Sequence, residues 1–260
     1  MNIFRFELKK QITSFLIWTV AIVAVMWGLM VGAYPVFQES VADIMKIMEG
    51  FPPQFAAAFG MDVKSIFNFG GYYSFCFGYI SLMGAIMATS IGVSTFAREK
   101  RAKCSDFLLT RPISRGSIFA EKLLSGLSVL IAANVVYILA VIIAVANNGT
   151  DMLLASLSLL FTQLVFFAMG IFYATFVKKV RSVSSIATAF GFGAFILSAL
   201  VNILEEESLR FVAPLKYFDP IKVFTDGGYE LKYAVTGVAV VLLSIVLSYL
   251  RFVKSDTKSI

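Results

Sequence analysis

Six stretches of this chain run for 18 residues or more without a charged side chain: Gln11–Gln38, Ser65–Ala97, Leu123–Thr150, Met152–Val177, Ser182–Leu204 and Tyr233–Leu250. A bilayer's hydrocarbon core is about 30 Å thick, and a helix rises about 1.5 Å per residue, so about 20 apolar residues cross it. Each run is therefore read as one transmembrane helix. A chain that is 59 % hydrophobic and 15 % charged falls well below the roughly 25 % charge of soluble domains. The predicted fold class is all-α and integral to the membrane, with six spans.

The runs do not translate directly into spans. The first follows Arg5, Lys9 and Lys10, as a signal peptide would, but its 28 residues exceed a signal's apolar region of roughly 7–15. It is expected to be a retained helix. The second run, at 33 residues, would make about 50 Å of helix, more than one straight crossing needs. An interfacial segment is expected over its start, "SIFNFGGYYSF". The predicted spans are about 15–36, 74–97, 123–147, 152–177, 183–204 and 233–251. "NNGTD" makes a tight turn between the third and fourth. Phe4, Leu8, Ile12 and Phe15 recur at helical spacing, which predicts an interfacial N-terminal helix or a plain basic flank. Pro214 and Pro220 punctuate the charged and apolar segment 205–232, where short outer helices are expected. One membrane domain over 1–260 accounts for the chain.

Charge sets the orientation. Segments 1–10, 98–122, 178–181 and 251–260 carry sixteen Lys and Arg, and the opposite loops carry six. Because cytoplasmic loops are enriched in Lys and Arg, both termini are placed in the cytoplasm, and the chain in the plasma membrane as a multi-pass protein. The basic face suits anionic lipid or an acidic cytoplasmic partner; nucleic acid is not expected.

Catalytic chemistry is not visible. The sequence has no His, so the commonest general base and metal ligand is missing. Its two cysteines make no metal-ligand spacing, and no Gly is followed by Lys, which leaves no Walker-type phosphate loop. No enzyme activity, metal or cofactor is expected in this chain. The uncharged runs also lack the ionisable residues common in ion-coupled transporters. With no buried charge and no nucleotide site of its own, the chain is expected to draw energy from a cytoplasmic partner.

Residues 98–122 are the largest segment on that face apart from the termini. "REKRAKCSDFLLTRPISRG" places Asp106, Phe107, Leu108 and Leu109 ahead of a turn at Pro112, and Ser114 or Ser117 can cap the helix that follows. The apolar triplet fits a protein groove; it equally fits an interfacial helix dipping into lipid.

The order of these parts resembles the membrane subunit of type-2 ABC exporters, six-span permeases that work with a separate ATPase. That family's pattern has an Arg-Glu-rich end to span two, then Gly-Thr-Leu-Glu-x-Leu-Leu-x-x-Pro-(Ile/Val)-Ser-Arg, an apolar residue and a Lys. Arg98 and Glu99 match its start, Asp106 stands in place of the Glu, and Phe107 fills the variable position. Leu108, Leu109, Pro112, Ile113, Ser114, Arg115, Ile118 and Lys122 match the rest. Lys103-Cys104-Ser105 replaces the usual Gly-Thr-Leu.

The resemblance implies that two copies of a cytoplasmic ABC ATPase, holding ATP and Mg, pair with this subunit and a second identical or related permease. It makes 98–122 a coupling helix between spans two and three, with Glu99, Asp106, Phe107, Leu108, Leu109, Pro112 and Arg115 as its docking residues. The function expected is export of an amphipathic or hydrophobic substrate such as an antibiotic, peptide or lipid. Asn68, Tyr72, Tyr73 and Asn202, near the outer helix ends, are the candidate substrate contacts; an aromatic belt explains the tyrosines equally. The alternatives are a membrane anchor or assembly subunit and an ion-coupled secondary transporter.

Overall fold

The computed structural model describes residues 3–50, 52–61, 65–102, 114–145 and 149–254. These residues are helical with no strand among them, and six helices are long and apolar enough to cross a membrane. In chain order they form α1 (Ile3–Trp27), α2 (Tyr34–Glu39), α3 (Val41–Glu49), α4 (Pro53–Ala58), α5 (Phe69–Ala102), α6 (Arg115–Ala144), α7 (Gly149–Phe176), α8 (Val183–Leu204), α9 (Pro220–Asp226) and α10 (Leu231–Lys254).

The first crossing departs from the expected boundaries. Residues 3–14 do not form a separate interfacial helix but are the opening turns of α1. The reason is their inward face: Ile3, Glu7 and Gln11, four residues apart, are all buried. Polar side chains at these positions find partners in α5 and α6, so the helix docks on protein. At its other end, Gly28–Ala33 forms a π-helical segment before α2. Pro35 has no N–H for the carbonyl four residues back and its ring crowds that turn; a widened turn accommodates it.

The second crossing also differs from expectation. It is one continuous helix from Phe69, 34 residues long, or about 51 Å. The preceding turn over 65–68 folds tightly against it at Gly71, where a Cβ would lie 2.0 Å from the Ser65 carbonyl oxygen. Glycine is what permits that approach.

α5 and α7 form the centre. In their most apolar windows 67 % and 61 % of residues are buried, against 22 %, 22 % and 17 % for the first, fifth and sixth spans. Their contact is backbone on backbone: a Cβ on Gly92 would lie 2.6 Å from the Phe167 carbonyl oxygen, and one on Gly170 2.8 Å from that of Thr89. Small residues of this kind let helices approach closely where lipid supplies no hydrophobic drive. Gly84 faces Leu159 and Gln163 of α7, and Gly191 faces Ile86 of α5, so both pack helices within this chain. α1 and α10 flank the centre, and α8 packs on α5. Opposite the termini, two 3₁₀ turns (Glu207–Val212 and Pro214–Lys216) and α9 form the expected short helices between spans five and six.

Candidate functional site

Two polar regions interrupt the apolar fold, one at each end. The first lies where the termini are, on both sides of the basic segment. Glu7 of α1 is its hub. Lys122 of α6 donates from Nζ to Glu7 Oε1 at 3.0 Å and to the Thr95 carbonyl at 2.7 Å. Arg98 of α5 meets the other carboxylate oxygen, Oε2, with Nη2 at 2.9 Å and Nε at 3.1 Å. Glu7 and Lys122 are 1 % and 0 % exposed, so this is a buried ion cluster. One turn deeper, Gln11 Nε2 donates to Thr95 Oγ1 at 2.8 Å.

The expectation of a chain without buried charge is corrected here. Lys122 borders the third uncharged run by one residue, and Glu7 precedes the first by four. Both lie inside the helices because α1 and α6 start well ahead of those runs. Mutual pairing offsets the desolvation that makes isolated intramembrane charges so costly.

The segment's other flanking residues also reach across helices. Lys100 Nζ donates to the carbonyls of Ala174, Thr175 and Val177 at 3.0, 3.1 and 3.2 Å, capping the C-terminus of α7. A cation there satisfies carbonyls left over at the helix end and meets the negative end of the helix dipole. Burial, together with the Arg251 charge, lowers the Lys100 pKa. Arg115 Nη1 donates to the Val253 carbonyl in α10 at 3.2 Å. Glu121 Oε2 accepts from the Phe4 backbone N–H at 3.0 Å, in the first turn of α1. Ser114 caps α6 by accepting from the Ser117 N–H at 3.2 Å, as the sequence suggested.

Of the predicted docking residues, Asp106, Phe107, Leu108, Leu109 and Pro112 lie outside the described residues. Glu99 lies in the last turns of α5, and Arg115 opens α6. Glu7, Gln11, Thr95, Lys100 and Lys122 had no assigned role in the sequence reading. The legible signal was the four-residue spacing of Ile3, Glu7 and Gln11 on one side of a helix otherwise rich in apolar residues.

The second region is a cavity of about 460 Å³ opposite the termini, between α4, α5, α8 and the capping segment. Ser65, Ser74, Asn202, Glu205, Glu206 and Lys216 line it among others. An adjoining cleft shares Ser74, Phe75, Asn202 and Lys216 and adds Tyr79 and Phe195. Asp219 N-caps α9 and accepts from Lys216 Nζ at 3.0 Å. Burial alone would raise its pKa; the Lys216 ammonium and the Ile221 N–H outweigh that and hold the carboxyl below the usual value.

The four candidate substrate contacts separate. Asn202 faces the cavity. Asn68 is exposed in the turn before α5. Tyr72 packs against Tyr34 and Phe37 and donates to the Leu29 carbonyl in the π-helical segment at 3.2 Å. Tyr73 is fully buried, its hydroxyl 3.1 Å from that of Tyr137 in α6. The tyrosines join helices to one another. Among the described residues, no group of acidic or Cys side chains could hold a metal ion.

A family model described as ABC-2 family transporter protein matches residues 1–257. No curated protein matches the chain.

Proposed function

The chain belongs to the ABC-2 family of transporter membrane proteins, and on that premise we propose that it is an exporter permease driven through residues 98–122. It is a multi-pass membrane protein and a transmembrane subunit of an ABC transporter. In the proposed complex the whole chain acts as one membrane domain beside a second, identical or related permease. Two cytoplasmic ATPase copies bind ATP and Mg and dock on Asp106 to Leu109, with Glu99, Pro112 and Arg115 setting the approach. Both termini lie in the cytoplasm, following the sixteen-to-six distribution of Lys and Arg. The cargo is amphipathic or hydrophobic, and Asn202 in the outer cavity is its best-placed polar contact.

One observation carries this reading. Residues on both sides of the docking segment hold the ends of other helices: Arg98 and Glu121 hold α1, Lys100 holds α7, and Arg115 holds α10. Force applied to residues 103–113 would reach three further helices through directional polar bonds.

The test is co-purification with the ATPase, followed by reconstitution. Leu108→Asp and Leu109→Asp each place a charge in the proposed apolar anchor and are expected to abolish ATPase binding. Unchanged binding by both variants, or transport without ATP, would overturn the reading.

A further inference from the structure

We infer that Glu7 is a positioning residue of the coupling path, tying α1 to the two helical arms on either side of residues 103–113 so that the three move together. This deepens the proposed function and rests on it. The two arms are the end of α5, carrying Arg98, and the start of α6, carrying Lys122. Glu7 gives one carboxylate oxygen to each: Oε2 to Arg98 at 2.9 Å and Oε1 to Lys122 at 3.0 Å.

A purely structural role is the simplest account of such a cluster, yet it explains the arrangement poorly. Apolar side chains of similar volume often stabilise a buried site as well as an ion pair does. What they lack is direction. A carboxylate shared by two cations fixes the relative position of three helices, whereas apolar surfaces can slide. The surroundings repeat the pattern: Gln11 on α1 meets Thr95 on α5, and Phe4 on α1 meets Glu121 on α6. Along the rest of its length α1 packs on α6, where Trp27 Nε1 donates to the Ala140 carbonyl at 3.1 Å. The polar bonds of Glu7 and Gln11 add α5 to that hold, so that α1 follows both arms.

The experiment uses the full permease–ATPase complex in lipid nanodiscs, with Cys76 and Cys104 replaced by Ser. Spin labels at Ile12→Cys on α1 and Ser184→Cys on α8, both exposed positions, report the distance between the helices. Nucleotide-free and ATP–vanadate states are compared. The protein with Glu7 intact is expected to show a nucleotide-dependent distance change. Glu7→Gln, and the double variant Glu7→Gln/Lys122→Met that leaves no buried lone charge at this pair, are expected to lose at least half of it. Both are expected to keep ATPase co-purification, which Leu108→Asp loses. A full distance change in the folded double variant overturns the inference and leaves the proposed function standing. Failure of the intact permease to bind the ATPase overturns both.

Discussion

Lys122 Nζ lies 3.0 Å from Glu7 Oε1, with both side chains sealed from solvent, and the two residues are 115 positions apart in the chain. The bond fastens the first helix of the protein to the third crossing. It recruits the Thr95 carbonyl of the second through the same ammonium, so three helices meet at one nitrogen.

Removing either partner breaks the central bond of the cluster. Lys122→Met leaves the Glu7 carboxylate to Arg98, and Glu7→Gln takes from Lys122 the carboxylate it meets at 3.0 Å. Glu7→Gln is expected to destabilise the fold by up to about 3–5 kcal/mol, the usual cost of breaking a buried pair, and Lys122→Met by less, because Arg98 still pairs with Glu7. The double variant is expected to cost less than the sum of the two. Unfolding in mixed micelles across the four proteins measures the coupling; strict additivity would deny it.

Gly92 and Gly170 face each other's helices at backbone distance, so neither site has room for a methyl group. The obstructing atoms are carbonyl oxygens of fixed helices and cannot rotate aside. Gly92→Ala and Gly170→Ala are each expected to lower stability by about 1–3 kcal/mol through overpacking. Gly28→Ala meets nothing within 4 Å and serves as the control. Thermal unfolding in detergent should rank the three in that way.

The six crossings were legible because a bilayer imposes a length on every uncharged run. The ends of helices were not, because there the competing partner is protein. Glu7 reads in the sequence as a solvated acid in a basic flank, and only the approach of Arg98 and Lys122 from remote positions turns it inward. Gly71 reads as a helix-weakening residue, yet it lies in the first turn of α5, where the Ser65 carbonyl folds back on it. Tyr72 and Tyr73 have belt composition but interior placement, since α2 and α6 cover them. Asn202 stayed at a cavity because α8 packs on α5 along one side and leaves its outer end open. The segment carrying Asp106 to Leu109 remains a reading of sequence pattern.

Lys100 satisfies three carbonyls at the end of α7, and Lys100→Ala would release them. The expected loss is about 1–2 kcal/mol, confined to that helix end. Hydrogen exchange should show faster exchange over the last turns of α7, near 171–177, with the rest of the helix unchanged. Protection equal to that of the unmodified protein would mean that the carbonyls find other donors.

Asp219 supplies an acid-sensitive point in the outer cap. Its folded pKa lies below the ordinary carboxylate value, since Lys216 and the Ile221 N–H outweigh the opposing effect of burial. Over the pH range between the folded and unfolded pKa the unfolded chain binds more protons, so stability rises with pH. The contribution is therefore complete well above about pH 4 and is lost as the pH falls through the folded pKa. Asp219→Asn removes the titration while keeping an acceptor for the α9 N-terminus. Thermal unfolding between pH 3 and pH 6 should show a steeper acid loss for the unmodified protein than for Asp219→Asn, with the gap closing at the lowest pH. Parallel curves would place the acid sensitivity elsewhere.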